Sequence, residues 1–286
     1  MSLPETLFSG YSIGTSLTTA GEVQKILDQL KELQINRIDT AALWPRASPG
    51  CSETLLGEVK ALGQGFKVDT RISPVNVSSS APRGARTLTG PAIKKSLQES
   101  PGRLHTHQIH VLYLHRPDGS TQIGEQAAAM QEQYAEGRFD KFGLRNFPEI
   151  ALKAFMLVCE NKGYVKPTVY QSWYNLASRE KEKLFPLLRR HGIAFHTCSL
   201  QHFLMFHDWP KDERREHLAY QHVRQPKDAG RLPAVDLLPL EVADGVILEA
   251  SSAPELAQHI KDIAKGPLPA ESVEELDLLY MRLRGW

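Results

Sequence analysis

Short apolar runs alternate with amphipathic segments along most of this chain, and no hairpin turn joins one run to the next. That alternation constrains the fold more than any other feature. Strands that never return by a tight turn must lie parallel, each linked to the next by a helix packed on the sheet. The first run spans Leu7 to Thr15. Thr19-Ala-Gly-Glu22 then has the spacing of a capping box, and Val23, Ile26, Leu27, Leu30 and Leu33 recur at helical period. Asn36 to Thr40 reads as the second strand, Ser52 opens a helix bearing Leu55, Leu56, Val59 and Leu62, and Phe66 to Arg71 returns as a strand. Thr89-Gly-Pro91 places a proline in the first turn of a third helix. Ile109 to His115 is almost continuously apolar, as suits a strand buried on both faces.

The alternation continues through a helix over 122–136, a strand Lys141 to Asn146 and a helix Pro148 to Lys162. Next come a strand Thr168 to Ser172, a helix Arg179 to His191 and a strand Ile193 to Thr197. Residues 198–244 break the pattern, with four prolines and a charged helix over 211–222; an eighth strand, Gly245 to Glu249, and helices Pro254 to Lys265 and Ser272 to Arg282 follow. The predicted fold class is α/β, a (β/α)8 TIM barrel forming one domain over residues 1–286, with a doubly wound open sheet as the alternative.

A chain of 286 residues fits one such barrel, and a formal net charge of +1 argues against nucleic acid or an anionic membrane surface as partner. Three cysteines without paired spacing, Cys51, Cys159 and Cys198, support neither disulfides nor zinc. His202, His207, His217 and His222 lack the spacing of metal ligands. With no basic leader and no membrane-length apolar run, the expectation is a cytoplasmic protein with a small-molecule substrate and an undetermined oligomeric state.

Catalytic groups of a parallel barrel gather at the carboxyl ends of the strands. Asp39, Arg71 and His115 all sit there, and Asp39 with Arg71 reads equally as a structural ion pair or as part of a site. Trp173 and Tyr174, at the sixth strand end, are candidates to line a substrate pocket, and Tyr113 shares a strand face with His115.

The segments Ile38-Asp-Thr-Ala, Ser52-Glu-Thr-Leu-Leu-Gly57, Tyr113-Leu-His115, Gly143-Leu-Arg-Asn146 and Tyr170-Gln-Ser-Trp-Tyr-Asn175 resemble the motif series of the aldo-keto reductases, most of all the aflatoxin-aldehyde reductase branch. The resemblance implies a TIM barrel, NADPH-dependent carbonyl reduction, and an active site of Asp, Tyr, Lys and His. Transferred onto this chain, the Asp falls on Asp39 and the His on His115, but the Tyr falls on Trp44 and the Lys on Arg71. The tetrad is therefore degenerate: an indole surrenders no proton, and a guanidinium stays protonated.

Asn146 and Gln171 match residues that hold the nicotinamide carboxamide, while a serine of the family becomes Arg145 and the stacking aromatic becomes Cys198. Leu200 to Met205 replaces the glycine-containing loop, Glu249 stands where the family has glycine, Glu255, Gln258 and His259 replace a Gln, Glu and Asn, and the segment between strands seven and eight is shortened. From these departures the expectation is a chain that needs no cofactor. It would use His115, Asp39, Arg71 and Trp44 for isomerisation, cyclisation or dehydration of a carbonyl-containing small molecule, a repurposing that suits secondary metabolism. An NADP(H)-dependent reductase with another proton donor and a non-catalytic binding barrel are the alternatives.

Overall fold

The computed structural model of the protein describes residues 4–72, 88–174, 180–198 and 243–265, with 274, 278 and 281 singly. Eight parallel strands close a barrel in chain order: β1 Glu5–Ser9, β2 Arg37–Asp39, β3 Lys67–Ile72, β4 Ile109–Leu114, β5 Phe139–Arg145, β6 Val169–Trp173, β7 Ala194–Cys198 and β8 Gly245–Leu248. Closure is made by β8, which pairs with β7 through His196 and Gly245 and with β1 through Leu7 and Ile247. The helices that follow the strands are α1 Ala20–Glu32, α2 Cys51–Glu58, α3 Gly90–Leu104, α4 Ile123–Ala135, α5 Glu149–Lys162, α6 Phe185–Arg190 and α7 Ala253–Ile263.

Local chemistry accounts for the boundaries. Thr19 and Glu22 form the expected capping box on α1, and Thr89 caps α3 ahead of its early proline. Gly163 ends α5 in the left-handed conformation that glycine adopts freely. Two elements are shorter than read from the sequence. The first strand ends at Ser9, because the Ser9 side chain accepts from Tyr11 N and caps a 3-10 turn over Gly10–Ser12. The helix expected from Arg179 is a 3-10 turn, Glu182–Leu184, running into α6. The loop over 73–87, the helix over 211–222, the segment Leu200 to Met205 and the four histidines from His202 to His222 lie outside the described residues, as does most of the final helix.

Two cores result from the period of two along each strand. Outward residues such as Ile38, Val68, Leu112, Phe142, Tyr170 and Phe195 join the helices in one large apolar cluster. Among the described residues, the barrel interior holds two small apolar clusters, Leu7 with Cys198 and Ile247, and Val111 with Tyr113 and Val169. Two interior rings lie against glycines. A Cβ on Gly143 would fall 2.3 Å from the Tyr113 ring, and one on Gly245 would fall 2.6 Å from His196. Charged groups sit beside these clusters: Arg37 bonds the buried Asp69 through Nε at 2.9 Å and the exposed Glu5 through Nη1 at 2.6 Å, and His110 Nδ1 lies 2.8 Å from Asp69.

His196, 3% exposed and with Nδ1 unpartnered, is pushed down to about 4, chiefly by burial and then by Arg37. The unfolded chain thus takes up a proton at this ring near pH 6.5, where the folded one does not. Stability from this group is complete above that pH and falls as acid is added. Between pH 6.5 and about pH 5 the linked loss is about 1.5 kcal/mol. His115, also held neutral in the fold, adds a loss of its own over this range, so urea unfolding at the two pH values should show a loss larger by about 1.5 kcal/mol in the native protein than in His196→Gln; equal losses in the two proteins would refute the assignment.

Candidate active site

The carboxyl ends of β2, β3 and β6 are tied together by one guanidinium. Asp39, last residue of β2 and fully buried, forms an ion pair with Arg71 Nη2. Arg71 Nε donates to Gln171 Oε1 at 3.1 Å, and Gln171 Nε2 donates to Asp39 Oδ1 at 3.2 Å, closing a three-membered ring of side chains. Burial pushes the Asp39 carboxyl up and the Arg71 charge draws it back down, with Gln171 assisting. Arg71 Nη1 is buried without a partner.

Trp44 covers this lock, with the guanidinium carbon of Arg71 lying 4.5 Å from its ring. The turn after β2 fixes the indole: Trp44 N donates to Ala41 O at 3.0 Å, Ser52 N donates to Trp44 O at 3.1 Å, and the peptide to Pro45 is cis. The Tyr11 ring meets the indole edge-on, with centroids 5.3 Å apart.

His115 follows β4 directly, its Nδ1 buried and unpartnered. Its pKa is pushed down to about 2, first by burial and then by the charges of Arg145, Arg71, Arg116 and Arg46. The ring is therefore a neutral imidazole at physiological pH. Tyr113 is fully buried, its hydroxyl unpartnered and its pKa far above that of a free phenol because of burial. It belongs to the barrel filling.

At the ends of β5 and β6, Ser172 Oγ donates to Asn146 Oδ1 at 2.8 Å. Arg145, 9% exposed, has Nη2 only 4.0 Å from Cys198 Sγ and its guanidinium carbon 5.7 Å from the Trp173 ring, while Nε has no partner. The structure brings Asp39, Arg71, Trp44, His115, Gln171 and Asn146 to one mouth and corrects one pocket assignment. Tyr174 is 3% exposed, packs on Phe185 and Phe195, and donates its hydroxyl to Glu182, so it belongs to the outer core. Trp173 is 44% exposed at the rim, beside Arg145. Tyr11 escaped sequence reasoning because nothing local marks it. Arg145 was legible by parity, two residues after the interior Gly143. Among the described residues, no group of three or more His, Cys, Asp or Glu could hold a metal ion, and no helix is long and apolar enough to cross a membrane.

The architecture matches that of aldo-keto reductase AKR11C1 from Bacillus halodurans in its holo form, with a TM-score of 0.73, 22% identity, and coverage of 98% of this chain and 93% of that one. In sequence, the chain is 34% identical over 162 residues to human aflatoxin B1 aldehyde reductase member 2, an alignment covering 56% of this chain and 43% of that protein. Oxidoreductase sirO of Leptosphaeria maculans is 28% identical over 309 residues, covering 92% of this chain and 86% of that one. Aldo-keto reductase pigE of Monascus ruber is 26% identical over 313 residues, covering 95% and 90%.

The Aldo/keto reductase family model matches residues 10–265. This match overturns the expectation of a chain that needs no cofactor, since the family points to NADP(H). The described residues fit that group in part. Asn146 and Ser172 present an amide and a hydroxyl side by side, suited to a carboxamide. At the start of α7, Glu255 Oε2 accepts from both Ser251 N and Ser251 Oγ at 2.7 Å, so a carboxylate already occupies the amide that a phosphate would take. The substitutions at Trp44 and Arg71 thus alter a site whose lineage is plain: matched from residue 10 to residue 265, the chain belongs to the aldo/keto reductase family.

Proposed function

We propose that the chain is an NADP(H)-dependent oxidoreductase acting on a carbonyl–alcohol pair in a small molecule, with Arg71 and His115 handling the substrate oxygen in place of a tyrosine. Cofactor-independent isomerisation, cyclisation or dehydration is set aside, since it rested on the absence of a cofactor. The observation that carries the reading is the pair of buried, unpartnered nitrogens, Arg71 Nη1 and His115 Nδ1, at the mouth of a family barrel.

Bound at the mouth, NADP(H) supplies or accepts the hydride. Asn146 and Ser172 would hold its carboxamide. Gln171, whose amide is engaged on both sides by Arg71 and Asp39, positions the guanidinium instead. Arg71 donates from Nη1 to the substrate oxygen, and its fixed charge stabilises the negative charge developing there. Because its Nε and Nη2 are already committed to Gln171 and Asp39, this donor is preorganised.

The proton has to come through His115. Trp44 surrenders none and Arg71 stays charged. The His115 ring is held neutral partly by surrounding guanidinium charges. A developing alkoxide offsets those charges, so the imidazole becomes most basic when it must pass a proton between solvent and oxygen. Trp44 forms the apolar wall of the pocket. In this reading His115, Asp39, Arg71 and Trp44 keep the roles of a catalytic group, an anchor, an oxyanion donor and a lining residue.

NADPH added to the protein should show enhanced fluorescence with micromolar affinity, weakened about tenfold in Asn146→Ala. No binding at millimolar cofactor would refute the proposal. With an aryl aldehyde as substrate, His115→Ala should lower kcat at least about a hundredfold, whereas Trp44→Tyr, which restores a phenol over the Arg71 cation, should raise it about tenfold. Absence of any aldehyde-dependent NADPH oxidation in both the native protein and Trp44→Tyr would also count against it.

A further inference from the structure

Among the described residues, the upper layer of the barrel interior does not balance its charges. Asp39 is matched by Arg71, and among the described residues Arg145 remains, at 9% exposure, with only the weak thiol contact of Cys198 and the Trp173 face. Its Nε has no partner, and the neighbouring Arg71 Nη1 has none either. The two guanidiniums are linked across the sheet: Arg145 sits opposite Gln171 in the β5–β6 register, and Gln171 accepts from Arg71 Nε. A buried cation without a counter-ion is expensive, and burial accordingly draws the Arg145 pKa down from that of a free guanidinium. Folded proteins rarely leave such a group uncompensated unless a ligand completes it.

We propose that Arg145 is a specificity-determining residue that receives an anionic carboxylate on the substrate, so that the preferred substrates are carbonyl compounds bearing a carboxylate rather than neutral ones. The carbonyl oxygen would take Arg71 Nη1, the carboxylate would take Arg145 Nε, and Trp173 would flank the second group. A carboxylate suits this site because a guanidinium edge offers parallel donors to two oxygens. Seating it would bring the two arginines and the Asp39 and substrate carboxylates to neutrality. The inference rests on the carbonyl-oxidoreductase reading for the identity of the second substrate group, but the anion site itself is testable without turnover.

Terephthalate and its dimethyl ester are shape-related probes with and without charge, and quenching of tryptophan fluorescence reports their binding to the full chain. Terephthalate should bind at least about tenfold more tightly than the ester, with that advantage falling in high salt, lost in Arg145→Gln and partly kept in Arg145→Lys. Arg145→Gln should also unfold a few degrees higher than the native protein, since it removes an unpaired buried charge. Equal binding of acid and ester, an undiminished preference in Arg145→Gln, or a lowered melting temperature in that variant would each overturn the proposal.

Turnover of 4-carboxybenzaldehyde against methyl 4-formylbenzoate with NADPH then separates the two readings. Charge-selective binding without turnover of either aldehyde leaves the anion site standing and sinks the oxidoreductase. Turnover of both at equal kcat/KM does the reverse. An effect of Arg145→Gln on NADPH affinity alone would assign the anion to the cofactor and overturn the substrate carboxylate.

Discussion

The buried pair of Asp39 and Arg71 is the interaction on which the mouth of this barrel depends. Removing one member of such a pair typically costs about 3–5 kcal/mol, because the other is left charged and dry. Here more than two strands are at stake, since Gln171 joins the pair to β6. An ammonium could neutralise Asp39 equally well, but it could not also donate in plane to Gln171 and lie flat beneath an indole. Arg71 does all three. Trp44 and Arg71 are therefore one matched change: the planar cation needs a planar cover, and the cover displaces the phenol that the family resemblance places there. What reads in sequence as two independent losses is in three dimensions a single rebuilt unit.

Burial and the charges around them explain why two histidines are neutral. At the lower end, the buried Asp69 bonds Arg37 and His110, and Arg37 also reaches the exposed Glu5. The upper interior holds Asp39 against two arginines. His115 faces the cationic layer and is depressed to about 2, whereas His196, near both Arg37 and Asp69, is depressed only to about 4. Desolvation leads in both, so the difference between them tracks the sign of the neighbouring charge. For a group proposed to pass a proton to an alkoxide, this would be a useful resting condition: the charge that suppresses protonation is the charge a developing alkoxide would neutralise.

Much of this was legible in the sequence. The eight strands, their parallel order and the capping residues Thr19 and Thr89 follow from local rules, and a period of two places Asp39, Arg71 and Gln171 at one mouth once closure is assumed. What was not legible came from contacts between elements. Tyr174 was expected in the pocket and instead anchors the outer core through Glu182, a residue on a turn whose position no pattern in the chain foretells. Arg145 was read as a loss, a serine missing from a cofactor cradle, because substitution against a family motif records what has gone and not what the replacement faces. Only its burial and its unpartnered Nε show that a charge was gained.

That gain bears on how the cofactor expectation went wrong. The departures at Arg145, Cys198, Glu249 and Glu255 read in sequence as losses at points of one ligand, but they are different in kind. Glu255 caps the start of α7, where the helix dipole favours its carboxylate over solvent and a phosphate would have to displace it. Glu249, pushed upward by burial and by Glu255, adds nothing attractive to an anion there. Arg145, by contrast, makes the opposite end more cationic. Among the described residues, carboxylates lie toward α7 and guanidiniums at the mouth, the reverse of what a phosphorylated dinucleotide favours. Among the described residues, contacts that favour the cofactor concentrate at Asn146 and Ser172, one residue and one strand from Arg145. In the proposed reading, cofactor and substrate recognition meet in a single patch, and the residue that reads as damage to the first would serve the second.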